Sequence, residues 1–286
     1  MTESPRIGFV FRPEQPTERL RGCLTSAQAA GLDDVWLWED CFKQGGLTAA
    51  AVALAETSSL RVGLGLMPVP MRNPALAAME VATLARLFPG RFVPAAGHGV
   101  LPWMEQIGAR AATPMTLLRE WVAAVRPLLH GETVTVSGKY VNLTDVALDW
   151  PPEAVPPLLV GARGPKTLAL AGELADGLVL DAGISPAGVS RAVATAAARR
   201  SHEVVVYLLC GAAPGSAERI QAELRESPEP CSARAAVGQP GEVAATVRAF
   251  AQAGATTVVL QPTVDDPDMM ATLALTAAAK NVLRGG

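Results

Sequence analysis

Cysteine is scarce and scattered in this chain. The four residues, Cys23, Cys41, Cys210 and Cys231, lie far apart with no CxxC spacing. That excludes a zinc ribbon and a disulfide framework by pattern, and reads as free structural thiols in a reducing compartment. Blocks of positive charge are also missing and the formal net charge is -3, so nucleic acid is not an expected partner. No apolar run approaches the roughly 18 residues of a membrane helix. The opening MTESPRIGFVF lacks the basic and apolar regions of a signal peptide, so a cytoplasmic location is expected. HExxH and GxSxG are absent, and Gly63-Leu64-Gly65 lacks the third glycine of a dinucleotide fingerprint. No metal site is expected.

What the chain does have is apolar mass. Half of its 286 residues are hydrophobic, which suits one large α/β barrel or two smaller domains. The most informative stretch runs from Pro157 to Asp181 and reads as strand, glycine loop, helix, strand. Leu158 to Val160 is a short apolar run. Gly161-Ala162-Arg163-Gly164 can turn sharply, and Pro165 suits a first helical position, where its missing N–H costs nothing. Leu168, Ala171, Gly172 and Ala175 keep the spacing of a helix packed on a sheet. A glycine loop ending at a helix N-terminus presents free N–H groups to an anion, and Arg163 and Lys166 add positive charge there. The segment Gly161-Ala162-Arg163-Gly164-Pro165-Lys166-Thr167 is superficially like a Walker A loop, but proline replaces the glycine before the lysine. An ATPase is not expected.

Taken in order, the chain alternates. Strands are expected at Ile7–Phe11, Val35–Trp38, Arg61–Leu66, Arg91–Ala96, Leu158–Val160, Leu178–Leu180, Val204–Leu209 and Thr256–Leu260. Helices are expected at Glu18–Ala30, Leu47–Thr57, Met115–Leu129, Pro186–Arg200, Ser216–Leu224, Glu242–Ala253 and Asp268–Leu283. A further helix is capped by Asn73 and opened by Pro74, with Leu76, Met79, Thr83, Leu84 and Leu87 expected on its buried face. Glu132–Leu143 alternates like a hairpin around Ser137-Gly138, and Glu229–Gly238 reads as loop. Eight short strands, nearly all apolar on both faces and alternating with helices, indicate a parallel sheet. The count of eight favours a (β/α)8 barrel over an open doubly wound sheet with a small second domain. We expect one domain over residues 1–286, with an insertion at 130–156 before the fifth strand.

Barrel sites form at the C-terminal ends of strands. Those ends are Phe11-Arg12, Glu39-Asp40, Gly65-Leu66-Met67, Gly97-His98-Gly99, Gly161 to Gly164, Asp181, Cys210 and Gln261. They are polar and glycine-rich where the strands before them are apolar. Of the three histidines, only His98 sits between glycines at a strand end; His130 and His202 lie near helix ends.

These segments, in order, resemble the luciferase-like oxidoreductases, and most closely the branch that uses the deazaflavin coenzyme F420. The resemblance rests on Asp34-Val35-Trp36 through Asp40, Asn73-Pro74 through Arg91-Phe92, and Gly97-His98-Gly99-Val100. It also rests on Gly161 to Thr167 through Ala175-Asp176-Gly177, and on Gly238 to Gln261. The GPKT and LADG pieces are similar to the cofactor-phosphate loop of the methylene-tetrahydromethanopterin reductase group. The resemblance implies a luciferase-like TIM barrel holding F420, or alternatively FMN, at the strand C-termini. It places the cofactor on Gly65, Leu66, Gly97, His98, Gly99, Gly161, Ala162, Arg163, Gly164, Pro165, Lys166 and Thr167, with a non-proline cis peptide at Gly65-Leu66. It further implies a homodimer through the helices after strands two and three.

One departure concerns the chemistry. Many relatives end strand two in Asp-His, whereas this chain has Glu39-Asp40. Asp40 is expected to move a proton and Glu39 to orient the ring, with Arg12 and Trp103 shaping the side of a small organic substrate. Three functions follow: hydride transfer between reduced F420 and that substrate, oxygen chemistry on FMN as a monooxygenase, or cofactor binding without turnover.

Overall fold

The computed structural model describes residues 4–197, 202–224 and 234–285. Eight strands close into a parallel barrel: β1 (Arg6–Val10), β2 (Asp34–Leu37), β3 (Arg61–Pro68), β4 (Phe92–Gly97), β7 (Leu159–Gly161), β8 (Gly177–Leu180), β9 (Glu203–Gly211) and β11 (Thr257–Gln261). Each pairs with the next in that order, and β11 returns to β1 with Ile7 opposite Val258. This is the expected TIM barrel. The excursion before β7 carries the expected hairpin, β5 (Val134–Ser137) and β6 (Asn142–Val146). Glu120 ties it down by accepting the backbone N–H groups of Lys139, Tyr140 and Val141 at 2.9, 2.8 and 3.0 Å.

Two faces of each strand are buried, for different reasons. Outward residues such as Phe9, Val35, Leu64 and Leu178 join the large core beneath the helices. Inward residues, among them Val10, Trp36, Val93, Leu159, Val205 and Tyr207, fill the barrel as a smaller core. Trp36 is large enough to need small neighbours. A Cβ on Gly63 would lie 2.2 Å from its ring, which explains a glycine in the middle of β3. The N-terminal end of the barrel is closed by Asp34, fully buried and held by Arg6 and Arg61.

The helices are α1 (Leu20–Ala29), α2 (Gly46–Glu56), α3 (Pro74–Leu87), α4 (Leu101–Gln106), α5 (Pro114–Leu129), α6 (Pro165–Leu174), α7 (Pro186–Ala196), α8 (Ser216–Glu223), α9 (Pro240–Gln252) and α10 (Met269–Leu283). Three expectations need correction. On α3 the buried residues are Pro74, Ala77, Ala78, Val81, Ala82, Leu84 and Ala85, while Leu76, Met79, Thr83 and Leu87 are exposed. Close approach to the barrel admits small side chains, so the larger ones are displaced to the far face. The short helix α4 was not foreseen. The segment expected as loop contains β10 (Ala235–Val237), a strand beside the extended end of β9; residues 229–233, with Cys231, lie outside the described residues. The other three cysteines are buried free thiols, and burial pushes Cys23 and Cys210 up to about 12.

Candidate functional site

A cavity of about 700 Å³ opens at the C-terminal ends of the barrel strands. Its floor is the irregular end of β3. The register between β3 and β4 shifts between Leu64 and Met67, and the Gly65-Leu66 peptide is cis, as expected. Two absent side chains make room for Leu66: a Cβ on Gly97 would sit 2.3 Å from its Cδ2, and one on Gly161 would sit 2.4 Å from it. Gly97 and Gly161 therefore shape the floor from behind. Beside it, Tyr207 donates its hydroxyl to the Gly65 carbonyl at 3.0 Å. Burial holds this phenol well above its ordinary range. Its ring lies 5.9 Å from Trp36, edge-on, and 5.9 Å from Trp38, tilted by 35°, so Trp38 and Tyr207 give one end of the cavity an aromatic lining.

Both carboxylate residues after β2, Glu39 and Asp40, line the cavity, but their side chains are held differently. Asp40 lines it, with Oδ2 accepting from Trp38 Nε1 at 3.0 Å and from Lys43 Nζ at 3.4 Å. Lys43 also donates to Glu14 at 2.7 Å and sits 5.8 Å above the Trp103 ring. Glu39 reaches the wall, but its carboxylate accepts both terminal nitrogens of Arg72, at 2.5 and 2.9 Å, and the Gly46 N–H at 3.1 Å. That places its charge on the N-terminus of α2, where the helix dipole favours an anion. Glu39 thus braces the strand end while also lining the cavity.

Arg12 is also placed differently from expectation. It is buried behind Trp38, its guanidinium 5.5 Å from that ring, and donates to Glu223 at 2.7 Å and to the Pro262 carbonyl at 3.0 Å. It supports the wall and does not line the cavity. Trp103 does line it, from α4.

The far end of the cavity is the glycine loop. Gly161, Ala162, Arg163, Gly164 and Thr167 all line it. Gly164 caps α6 with Pro165 in the first turn, and a Cβ at Gly164 would meet open space. Here N–H groups at a helix N-terminus face a cavity, which is an arrangement that binds anions. Arg163 is paired with Asp181. Lys166 is exposed outside the lining. His98 and Gly99 close the side, with His98 Nε2 3.5 Å from Thr167 Oγ1. Asp181, Gln261 and Val100 also line it, together with residues not singled out from sequence: Trp38, Pro68, Val179, Ala182, Tyr207, Leu209, Glu223 and Leu224. Inward alternation on β9 was the one signal that pointed to Tyr207 and Leu209. Among the described residues, no group of three or more His, Cys, Asp or Glu side chains is placed to hold a metal.

His98 carries a pH dependence. Burial lowers its pKa from 6.5, and the Pro114 backbone offsets this only in part; Nδ1 is buried with no hydrogen bond of normal geometry. The unfolded chain therefore takes up this proton at higher pH than the folded one. Stability from this group is full above about 6.5 and is lost as the pH falls from there toward the lowered folded value. Thermal melting without added cofactor should fall between pH 7 and 5, and less steeply in His98→Gln. Parallel slopes would remove His98 as the cause.

The chain is a parallel eight-stranded barrel with one cavity at the strand C-terminal ends, lined by the Gly65-Leu66 peptide and by the glycine loop before α6. Residues 7–227 match the family described as luciferase-like monooxygenase, and the chain belongs to that family. It is 29% identical over 176 residues to the 5,10-methylenetetrahydromethanopterin reductase of Methanolobus tindarius, covering 62% of this chain and 54% of that protein. It is 31% identical over 194 residues to the F420-dependent glucose-6-phosphate dehydrogenase of Kineococcus radiotolerans, covering 62% and 57%. The chain thus spans little more than half the length of these curated relatives. The coenzyme F420 dependent tetrahydromethanopterin reductase from Methanopyrus kandleri shares the fold, with a TM-score of 0.79, 19% identity, and coverage of 96% of this chain and 98% of that one. No helix among the described residues is long and apolar enough to cross a membrane.

Proposed function

We propose that this protein is an oxidoreductase that uses coenzyme F420 to transfer a hydride to or from a small organic substrate. The observation that carries the reading is one cavity joining the Gly65-Leu66 floor, the Asp40 carboxylate and the Gly161–Thr167 anion loop. The relatives named for F420 dependence support it. The residues present fit such a group: a Cβ on Gly65 would fill the floor and meet the Tyr207 hydroxyl at 2.5 Å. When bound, the reduced deazaflavin supplies the hydride.

The chain's own parts follow from the geometry. Leu66, Trp38 and Tyr207 present an apolar surface to a flat ring. Gly161, Gly164 and the first turn of α6 receive its phosphate, with Arg163 adjacent. Asp40 Oδ1 is the atom we assign to proton transfer, since Oδ2 is held by Trp38 and Lys43. Trp103 and Val100 border the substrate and exclude water. The test is to offer reduced F420 and reduced FMN separately with a panel of enones and imines. Turnover with F420 is expected. Oxygen consumption with FMN and no turnover with F420 would establish the monooxygenase reading that the family description also allows.

We also propose a homodimer. The outward face of α3 exposes Leu76, Met79 and Leu87 at 47, 57 and 66%, and Val52 on α2 is exposed as well. Patches of this kind are commonly covered by a partner, and the implied two-fold contact of the family lies on these helices. Sedimentation at tens of micromolar should give twice the 29.7 kDa chain mass, and Met79→Lys should shift it to the monomer. A monomeric wild type would end the proposal.

A further inference from the structure

Most polar side chains on the wall of the cavity are already engaged. Glu39 is held by Arg72, Glu223 by Arg12 and Asp181 by Arg163, and the Tyr207 hydroxyl donates to the Gly65 carbonyl. Gln261 differs from them. It is the last residue of β11, lines the same cavity and is 6% exposed, yet among the described residues its carboxamide has no hydrogen-bond partner. Strand alternation explains its direction: Thr257, Val259 and Gln261 share one face of β11, and Val259 belongs to the core inside the barrel. Leu209 lies opposite Gln261 in register on β9 and lines the cavity beside it.

The place of Gln261 relative to the floor decides what it can meet. Leu66 rests against Gly97 of β4 and Gly161 of β7, so the floor belongs to the side of the barrel formed by β3, β4 and β7. In the closed order of strands β11 stands four places from β4, across the mouth. A flat ring with one face on that floor turns its other face toward β9 and β11. Hydride passes perpendicular to a ring plane, so a reacting molecule must lie on that open face, against Leu209 and Gln261. A carboxamide offers two N–H donors and an acceptor oxygen, and bears no charge. It matches a carbonyl or hydroxyl oxygen, and supplies no counter-ion for a carboxylate or phosphate.

We propose that Gln261 is a specificity-determining residue whose carboxamide hydrogen-bonds an uncharged carbonyl or hydroxyl oxygen of the substrate, while Leu209 packs the apolar part beside it. This rests on the cofactor reading above, which puts a flat ring on the floor. No bond is made or broken at Gln261, and Asp40 keeps the proton. Removing the carboxamide should weaken binding of an oxygenated molecule and spare an apolar one of similar size.

Ligand-observed NMR titrations of cyclohexanone and benzene test this on wild type, Gln261→Leu and Gln261→Met, each with and without saturating oxidised F420. We expect both variants to bind cyclohexanone about tenfold more weakly, the loss of one hydrogen bond, and to hold benzene and F420 within about twofold of wild type. The melting temperature should stay or rise, because an apolar side chain replaces a buried carboxamide that no described residue partners. A clear fall in both variants would place the partner of the carboxamide within the protein and overturn the inference. Equal changes for the two probes, or no binding of cyclohexanone to wild type, would also overturn it. So would a tenfold loss of F420 affinity, which would assign the carboxamide to the ring. Failure of F420 to bind wild type would instead overturn the cofactor reading, since the cyclohexanone-to-benzene ratio in the cofactor-free protein still decides the role of Gln261.

Discussion

Replacing Asp34 with alanine is expected to destabilise the fold by about 3 kcal/mol, near the lower end for removing one partner of a buried ion pair. Asp34 begins β2 at the closed end of the barrel and is wholly buried. Its Oδ1 accepts Arg6 Nε at 2.9 Å and Arg6 Nη2 at 2.6 Å, and its Oδ2 accepts Arg61 Nη2 at 3.0 Å. Burial alone would lower the Arg61 pKa, but Asp34 and then Glu203 outweigh it and hold it raised. Without Asp34, Arg61 retains Glu203 while Arg6 keeps only the Asp33 carbonyl. The cost therefore falls mainly on Arg61, 16% exposed and left with one carboxylate in place of two, while Arg6, 43% exposed, regains water. At about 2–4 °C per kcal/mol for a chain of this size, melting should fall by roughly 6–12 °C. Asp34→Asn, which keeps the shape and an acceptor oxygen, should recover part of it. A shift under 2 °C in Asp34→Ala would mean that the network contributes little beyond its own desolvation cost.

Much of the barrel was legible because its strands are short apolar runs between helices, and eight of them leave few alternatives. What was hidden depended on which of two neighbouring residues faces which way. On α3, alanine and leucine read alike in a periodic pattern, yet only alanine fits where the helix approaches the barrel. After β2, Glu39 and Asp40 are the same chemical type, and Arg72, 33 residues on, decides between them by pairing with Glu39. Arg12 looked like a cavity residue by its place at a strand end, but Glu223, brought in by α8, draws it behind Trp38. The glycine loop was legible from local pattern alone as a turn into a helix that opens with Pro165. Its neutralising partner Asp181, at the end of the next strand, was visible only as a strand end.

Asp40→Asn is expected to lower turnover by about 10²–10⁴-fold, the usual range for removing a general acid or base, while changing cofactor affinity less than threefold. The asparagine oxygen can still accept from Trp38 Nε1, so the wall keeps its shape. Lys43 keeps Glu14 at 2.7 Å, so the cation beside Trp103 stays in place. What is lost is a carboxylate oxygen in the cavity that can bear a proton. Glu39→Gln offers the contrast. It weakens the two Arg72 contacts and the charge on the α2 N-terminus, which should lower stability and disturb cofactor binding together. A turnover loss confined to kcat in Asp40→Asn, with kcat and affinity moving together in Glu39→Gln, separates a group that moves a proton from one that holds the strand end. If Asp40→Asn keeps more than a tenth of wild-type kcat, the proton travels by another route, and His98, neutral on the same cavity wall, becomes the next residue to replace.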